Sequence, residues 1–470
     1  MLIQSRQLLL ALGLLAPAPS IFAQARVESQ ATRPTPSSPH PQREELEDLL
    51  TLADSANPAI RAARRRVEAA RAEVAPAGLP PDPMLMAGIQ NLPLGRMQSA
   101  PAMSGSSTTS GGPEPMTMRM IGISQTIPYP GKLRLRRSAA EHEVDATRAA
   151  LDGVAREVRR DVKDAYYELA FIDQALSIVL GNRDVLAGFT RVTETRYAVG
   201  TVGLQDVLKA HVEATRLAES AVTLTENRHA TLARLNALLD RPTISPVDHP
   251  EIPASVTRAA VPAAAGEIRF TSAALGARAA DSPLPPLADL EEKAIRESPE
   301  IREQQAMIAA QASRRELARK NALPDFELSL AYGQRVGRPD MLTALVSVPI
   351  PVFKGRKQDQ LVAASDAQLA ALEAQEKQKE NEIRADVARL VSELERSRTQ
   401  LALYVKALLP QARASLGSAT ASYQVGRVEF LTVLDDQATV FNYETEYFRV
   451  LTDFAKNLAE LERVVGKEVL

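Results

Sequence analysis

Tyr197-Ala198-Val199-Gly200-Thr201-Val202, followed by Val207-Leu208, returns as Tyr423-Gln424-Val425-Gly426-Arg427-Val428, followed by Val433-Leu434. The step from 197 to 423 is 226 residues, and flanking pairs keep nearly the same step. Upstream, Glu157-Val158-Arg159, Asp161-Val162 and Glu168-Leu169 match Glu382-Ile383-Arg384, Asp386-Val387 and Glu393-Leu394, where 157 to 382 is 225. Ile127-Pro128 matches Ile350-Pro351, and Asn57-Pro58-Ala59-Ile60 matches Ser298-Pro299-Glu300-Ile301. An ordered series at a near-constant offset implies one unit written twice. The halves run 44–240 and 287–470, joined by a Pro- and Ala-rich linker, 241–286.

Each half carries a helical seam. Val158, Val162, Ala165, Leu169, Ile172, Leu176 and Val179 alternate steps of four and three. Ile383, Val387, Leu390, Leu394, Ser397, Leu401 and Tyr404 do the same in the second half. This heptad stripe marks helices that pack at a shallow angle. Long helices are expected over 132–240 and 356–466. From Lys132 to about Tyr197 no proline interrupts the pattern, and glycines such as Gly153 and Gly181 stand alone. At about 1.5 Å per residue that is a rod of roughly 100 Å. The final helix carries two stripes, Val433, Val440, Tyr447, Leu451, Phe454, Leu458, Leu461 and Leu434, Ala438, Phe441, Phe448, Ala455. Two stripes require two neighbours, as in a wall or ring of helices.

Before each long helix the period changes to two. Phe326, Leu328, Leu330 and Tyr332 alternate with Glu327, Ser329, Ala331 and Gly333, which predicts a strand at about 325–335. A second strand is expected at 341–350, after the turn residues Gly337-Arg338-Pro339-Asp340. The first half offers strands at about 84–92 and 116–127, around a Gly/Ser/Pro loop at 95–115. Four strands of about ten residues suit a bilayer crossing. Four cannot close a barrel, and lipid tolerates no open edge, so a membrane reading requires several copies to pool their strands. The rival reading is a small water-soluble β-domain, and with it a periplasmic coiled-coil scaffold or adaptor with no span.

The chain begins like an exported protein. Arg6, the apolar run Leu8 to Leu15 and Ala23-Gln24-Ala25 read as a signal peptide over 1–25, and 26–43 as a disordered lead-in. No later stretch has the roughly 20 apolar residues of a spanning helix. There is no cysteine, which excludes thiolate catalysis, thiolate zinc sites, disulfides and a lipid anchor on cysteine. A net charge of −2 argues against nucleic acid as a partner.

Taken together, these residues resemble the TolC-like family of outer-membrane efflux factors, and in flavour its heavy-metal branch. The resemblance covers nearly the whole mature chain and rests on the paired Tyr-x-Val-Gly-x-Val element. Ile127-Pro128-Tyr129-Pro130-Gly131-Lys132 and Ile350-Pro351-Val352-Phe353-Lys354-Gly355 look like the family's strand-to-helix junctions. The resemblance implies a mainly α fold with a membrane β-barrel: a homotrimer with an α-barrel of long antiparallel helices in the periplasm and a shared twelve-stranded barrel in the outer membrane. It implies a periplasmic adaptor and an inner-membrane pump of the resistance-nodulation-division type as partners. By the same resemblance Gly200, Thr201, Val202, Gly426, Arg427 and Val428 are helix tips that contact the adaptor. Asp206, Asp435 and Asp436 are the candidate aperture acids, with Thr432 where many members carry a further acid. Solvated or helix-capping aspartate is the ordinary alternative for each.

No catalytic set is found, and neither a cofactor nor a metal-ligating set is expected. His40, His142, His211, His229 and His249 are scattered, Gly131-Lys132 lacks the rest of a phosphate loop, and Glu291-Glu292 fall on a polar helical face. Methionine is the compositional oddity. Seven of ten lie between 84 and 120: Met84, Met86, Met97, Met103, Met116, Met118 and Met120. Met116, Met118 and Met120 alternate and share a face. Thioethers suit soft cations such as Cu(I), whereas flexible apolar side chains also serve against lipid. The cargo is therefore left between metal cations and organic solutes.

Overall fold

The computed structural model describes residues 45–91, 117–261, 284–335 and 337–469. The expected signal peptide and lead-in, the 95–115 loop, Met97, Met103, Met116 and the middle of the linker lie outside the described residues. The first half contains α1 (Leu46–Ala56), α2 (Pro58–Ala77), β1 (Met84–Gln90), β2 (Met118–Ile127), α3 (Lys132–Ala198) and α4 (Leu204–Leu238). After α5 (Ala254–Ala260), the same order returns: α6 (Leu287–Glu297), α7 (Pro299–Lys320), β3 (Phe326–Arg335), β4 (Met341–Ser347), α8 (Gln358–Leu403) with its continuation α9 (Leu409–Gln424), and α10 (Phe430–Val465).

Local chemistry sets these boundaries. Asn57 and Ser298, equivalent in the two halves, both cap a helix whose first residue is proline. Asn57 Oδ1 accepts from the Ala59 and Ile60 amides at 2.8 and 3.3 Å, and Ser298 Oγ accepts from the Ile301 amide at 3.3 Å. Each cap satisfies amides that the helix start leaves free, and proline has no amide to lose there. The Asn57 side-chain Nδ2 also donates to the Leu238 carbonyl at 2.8 Å, tying the start of α2 to the end of α4.

The stripes of the two seams are buried, except Leu176 and Tyr404, which are half-buried. Most of them join α1, α3, α6, α8 and α10 in one core, each fully buried Leu or Val contributing about 1.5–3 kcal/mol of transfer energy, while Ile172 and Val179 pack in separate clusters farther along α3. α10 packs on α3 and also on α8 and α9, the two-sided contact its double stripe requires. A second core, built from Leu186, Ala210, Tyr423, Phe430 and Val433, holds the far ends of the rods together.

The second long rod departs from the expected unbroken helix. Between α8 and α9 it widens into a π-type turn over Tyr404–Leu408. Pro410 is the cause: it cannot donate to the Lys406 carbonyl, and its ring would clash there in a regular helix. The described part of the 241–286 stretch is more than a tether. Val247, Val256 and Ala260 are buried in the main core, Arg398 Nε donates to the Ala259 carbonyl at 3.0 Å, and the Asn236 side chain donates to Thr243 and Ser245 carbonyls at 3.0 and 2.9 Å.

The strands form one antiparallel sheet in the order β1-β2-β3-β4. The outer strands have 7 residues and the inner ones 10. Prolines 128 and 349 follow β2 and β4 and remove the amides further pairing would need. The central junction is clamped by Asp325, whose Oδ1 accepts from the Tyr129 amide and from Lys132 Nζ, both at 2.7 Å, while Lys132 also donates to the Leu323 carbonyl at 2.8 Å. No helix among the described residues is long and apolar enough to cross a membrane, which says nothing of a barrel.

Candidate functional site

The repeated hexapeptide is a helix terminus in both copies. The Gly200 amide donates to the Tyr197 carbonyl at 2.9 Å and the Thr201 amide to Arg196 at 2.9 Å. The Gly426 amide donates to Tyr423 at 3.0 Å and the Arg427 amide to Ser422 at 2.9 Å. Both glycines are left-handed, with φ +76° and +74°. This is the Schellman pattern, which returns the chain and satisfies the last helical carbonyls. Gly200, Thr201, Gly426 and Arg427 are exposed at the turns, whereas Val202 and Val428 are half-buried, Val428 against the second core. The most exposed apolar residues there are Val199 and Val425, 70% and 68% exposed, one position before each glycine. The repeat contained the signal for these two, since the residue before a left-handed glycine sits at the outer corner of the turn.

The two tips are not equivalent. Tyr423 is 3% exposed and Tyr197 45%. Arg196 explains part of the difference. Its guanidinium donates to the Tyr423 and Gln424 carbonyls, both at 2.9 Å, and lies over the Tyr423 ring at 4.4 Å from the centroid. One tip is thereby stitched to the other, a contact across 227 residues that sequence reading did not find.

The three aspartates are spread over separate positions. Asp206 is half-buried in the first turn of α4. Asp435 is exposed on α10 and lines a groove with Leu204, Leu208, Lys209 and Val212 of α4; Asp206 is not among the lining residues. Asp436 accepts from Ser415 Oγ of α9 at 3.0 Å.

Between α3 and α10 runs a ladder of ion pairs. Lys163 meets Glu462 at 2.7 Å, Arg160 meets Glu460 at 3.2 Å, Lys456 meets Glu168 at 2.6 Å, and Arg449 meets Glu168 at 3.2 Å. Burial works against the charge on Glu168, but Lys456 and Arg449 outweigh it and hold its pKa below the usual value. Asp453, in the same network, is pushed up, chiefly by burial. Among the described residues no group of three or more His, Asp or Glu is placed to hold a metal ion.

The sheet has two unlike faces. On one lie Leu85 and Ile89 of β1, Ile121 and Ile123 of β2, Leu328, Leu330 and Tyr332 of β3, and Leu342 and Val346 of β4. All of these are exposed, Leu85 and Leu342 by 75% and 71%. On the other lie Ser124, Thr126, Glu327, Ser329 and Thr343, together with Met84, Met86, Met118, Met120 and Met341, and with Ala331 and Leu345 among them. The alternation expected for β3 is present, but its apolar side is the uncovered one. A water-soluble β-domain would bury that side.

Two rods about 100 Å long at 1.5 Å per residue, α3 and the α8–α9 run, each turned back at a glycine tip into a helix of about half that length and joined to a sheet with an uncovered apolar face, have the architecture of outer-membrane channel subunits. The fold agrees with solved members of that class: the transmembrane channel CusC, with a TM-score of 0.71 at 16% identity over 90% of this chain and 92% of that one, and VceC of Vibrio cholerae, with a TM-score of 0.69 at 17% identity over 90% and 97%. The chain belongs to the outer membrane efflux protein family, which matches residues 49–241 and 290–467. It is 26% identical over 353 residues to the cobalt-zinc-cadmium resistance protein CzcC of Cupriavidus metallidurans, covering 72% of this chain and 74% of that protein.

Proposed function

We propose that the protein is the passive outer-membrane duct of a tripartite exporter. Three copies pool four strands each into a twelve-stranded barrel, and their helices close a periplasmic α-barrel; the two halves of each chain, 44–240 and 287–470, are the repeats of that wall. The observation that carries this reading is the uncovered apolar face of the sheet, bounded by two open edges. β1 and β4 have the same 7-residue length, and β4 of one copy beside β1 of the next continues the antiparallel order. In lipid the unpaired groups of both edges must be satisfied, and closure satisfies them. The apolar face then meets lipid and the polar face the lumen.

The helix tips dock onto a periplasmic adaptor through Gly200, Thr201, Val202, Gly426, Arg427 and Val428, with Val199 and Val425 as the exposed apolar corners. An inner-membrane pump of the resistance-nodulation-division type supplies the energy. Asp435, with Asp206 and Asp436, contributes charge to the periplasmic aperture, which opens as the helix pairs shift. Heavy-metal cations are the proposed cargo in preference to organic solutes, a choice supported by the likeness to a protein named for metal resistance. Washing isolated envelopes with carbonate tests the membrane reading. The protein is expected to stay with the membrane pellet; release into the wash would establish the periplasmic scaffold instead.

A further inference from the structure

The five methionines of the described sheet all lie on the face opposite Ile121, Ile123, Leu330 and Val346. Apolar filler against lipid would sit among those isoleucines and leucines. Here the methionines instead share their side with serine, threonine and glutamate, with Leu345 as its one leucine.

The pairing register orders them further. Across the sheet, Gly88, Met120, Gly333 and Met341 form one row. Gly333, without a side chain, leaves a gap between two thioethers whose strands stand roughly 10 Å apart at about 4.8 Å per strand. The Met118 sulphur fills that gap: a Cβ added to Gly333 would lie 2.7 Å from it. One thioether therefore lies over the bare position, and Met120 and Met341 flank it on the two neighbouring strands. Met118 pairs with Arg335, but the Arg335 guanidinium donates twice to the Pro339 carbonyl, at 2.9 and 2.7 Å, and is held toward the turn. From the helix end of the sheet outward, successive rows hold Met84, then Met86, then Met120 with Met341, then Met118. Rows two residues apart are spaced by about 7 Å.

We propose that this face is a soft-cation site, taking Cu(I) or Ag(I) on the thioethers of Met118, Met120 and Met341 around Gly333, with Met84 and Met86 as further steps along the wall. The inference rests on the barrel reading for its placement in the lumen. Thioethers are neutral, soft ligands, which select monovalent soft ions over zinc or cobalt. Neutral ligands in consecutive rows hold an ion loosely enough to pass it on, as conduction requires. The assignment separates this duct from one built for borderline divalent cations.

The test uses full-length trimer and Ag(I), which needs no reductant. A variant carrying Met84→Leu, Met86→Leu, Met118→Leu, Met120→Leu and Met341→Leu removes the thioethers at nearly constant volume, and Met307→Leu on α7 is the control. Silver retained after equilibrium dialysis is measured beside zinc, and potassium conductance is recorded in planar bilayers. The unmodified protein and the control are expected to hold silver at least tenfold more tightly than the five-site variant, with zinc retention and conductance equal in all three. Silver X-ray absorption on the unmodified protein gives a readout independent of any variant, with sulphur expected as the nearest scatterer. Conducting channels that hold silver equally with and without the five methionines would overturn the site and leave the duct standing. An unmodified protein that forms no conducting channel would overturn the lumenal placement and the duct together.

Discussion

Gly200 and Gly426 isolate a backbone effect from a packing effect. A Cβ on either would meet nothing within 4 Å, and the same is true of Gly181 inside α3. Only the two tip glycines have positive φ among these three. Gly426→Ala is therefore expected to lower stability by about 1–2 kcal/mol, the cost of a left-handed L-residue. Gly181→Ala should raise it by up to about 1 kcal/mol, because a helical glycine gives up more chain entropy than alanine. Thermal unfolding of the detergent-solubilised protein reads both, and shifts of the same sign would remove the explanation. Glu168 sets a pH dependence. Its folded pKa lies below the ordinary glutamate value, so its stabilisation is present above that value and lost as pH falls through the folded one. Unfolding midpoints should drop below about pH 4.3, and Glu168→Gln should flatten that part of the profile while costing about 1–3 kcal/mol near neutrality. Asp453 acts in the opposite sense, since its raised pKa favours the folded state at low pH.

At the scale of elements, the sheet makes the sharpest prediction. Leu330 is on the apolar face of β3, and Thr343 is on the opposite face of β4, two rows of the same small sheet. Leu330→Arg should cost about 2–4 kcal/mol in a bilayer and reduce the amount of protein in the outer-membrane fraction, whereas Thr343→Arg should leave it unchanged. Equal loss from both substitutions would mean that neither face meets lipid. The period-two run from Phe326 to Gly333 makes this sheet legible in the sequence, and the heptad stripes do the same for α3 and α8, because both periodicities are local. The features that escaped are those that need a partner distant in sequence. Arg196 is an ordinary basic residue until Tyr423 is beside it. Val256 and Ala260 read as part of a Pro/Ala tether because their burial depends on the rods they cover. Pro410 was visible, but the stripe of small and apolar residues continues past it and masks the π-type turn it forces. The methionines were half legible: alternation shows which of them share a face, and only the register with β3 and β4 shows what lies on the other.

For the whole molecule, closure by copies changes what a single acid can do. In one chain Asp435 is an exposed carboxylate on a groove that also carries Lys209, and it has no reason to matter. In the proposed trimer, where it would repeat three times around the aperture, it would form a ring whose field is concentrated where the wall excludes water. At roughly 10 Å in water-like surroundings each pair of carboxylates interacts by about 0.4 kcal/mol, so the ring biases ion passage by a few-fold and does not block it. Asp435→Ala should therefore lower the cation preference of single channels in planar bilayers, and Asp435→Glu should keep it. The difference should be clear at 0.1 M salt, where the screening length is about 10 Å, and should fade at 1 M, where it is about 3 Å. A preference that is the same in Asp435→Ala, or that survives at 1 M salt, would place the selective charge elsewhere on the wall. Asp206 would then be the next acid to test, since it lies in the first turn of α4, just after the Gly200 tip.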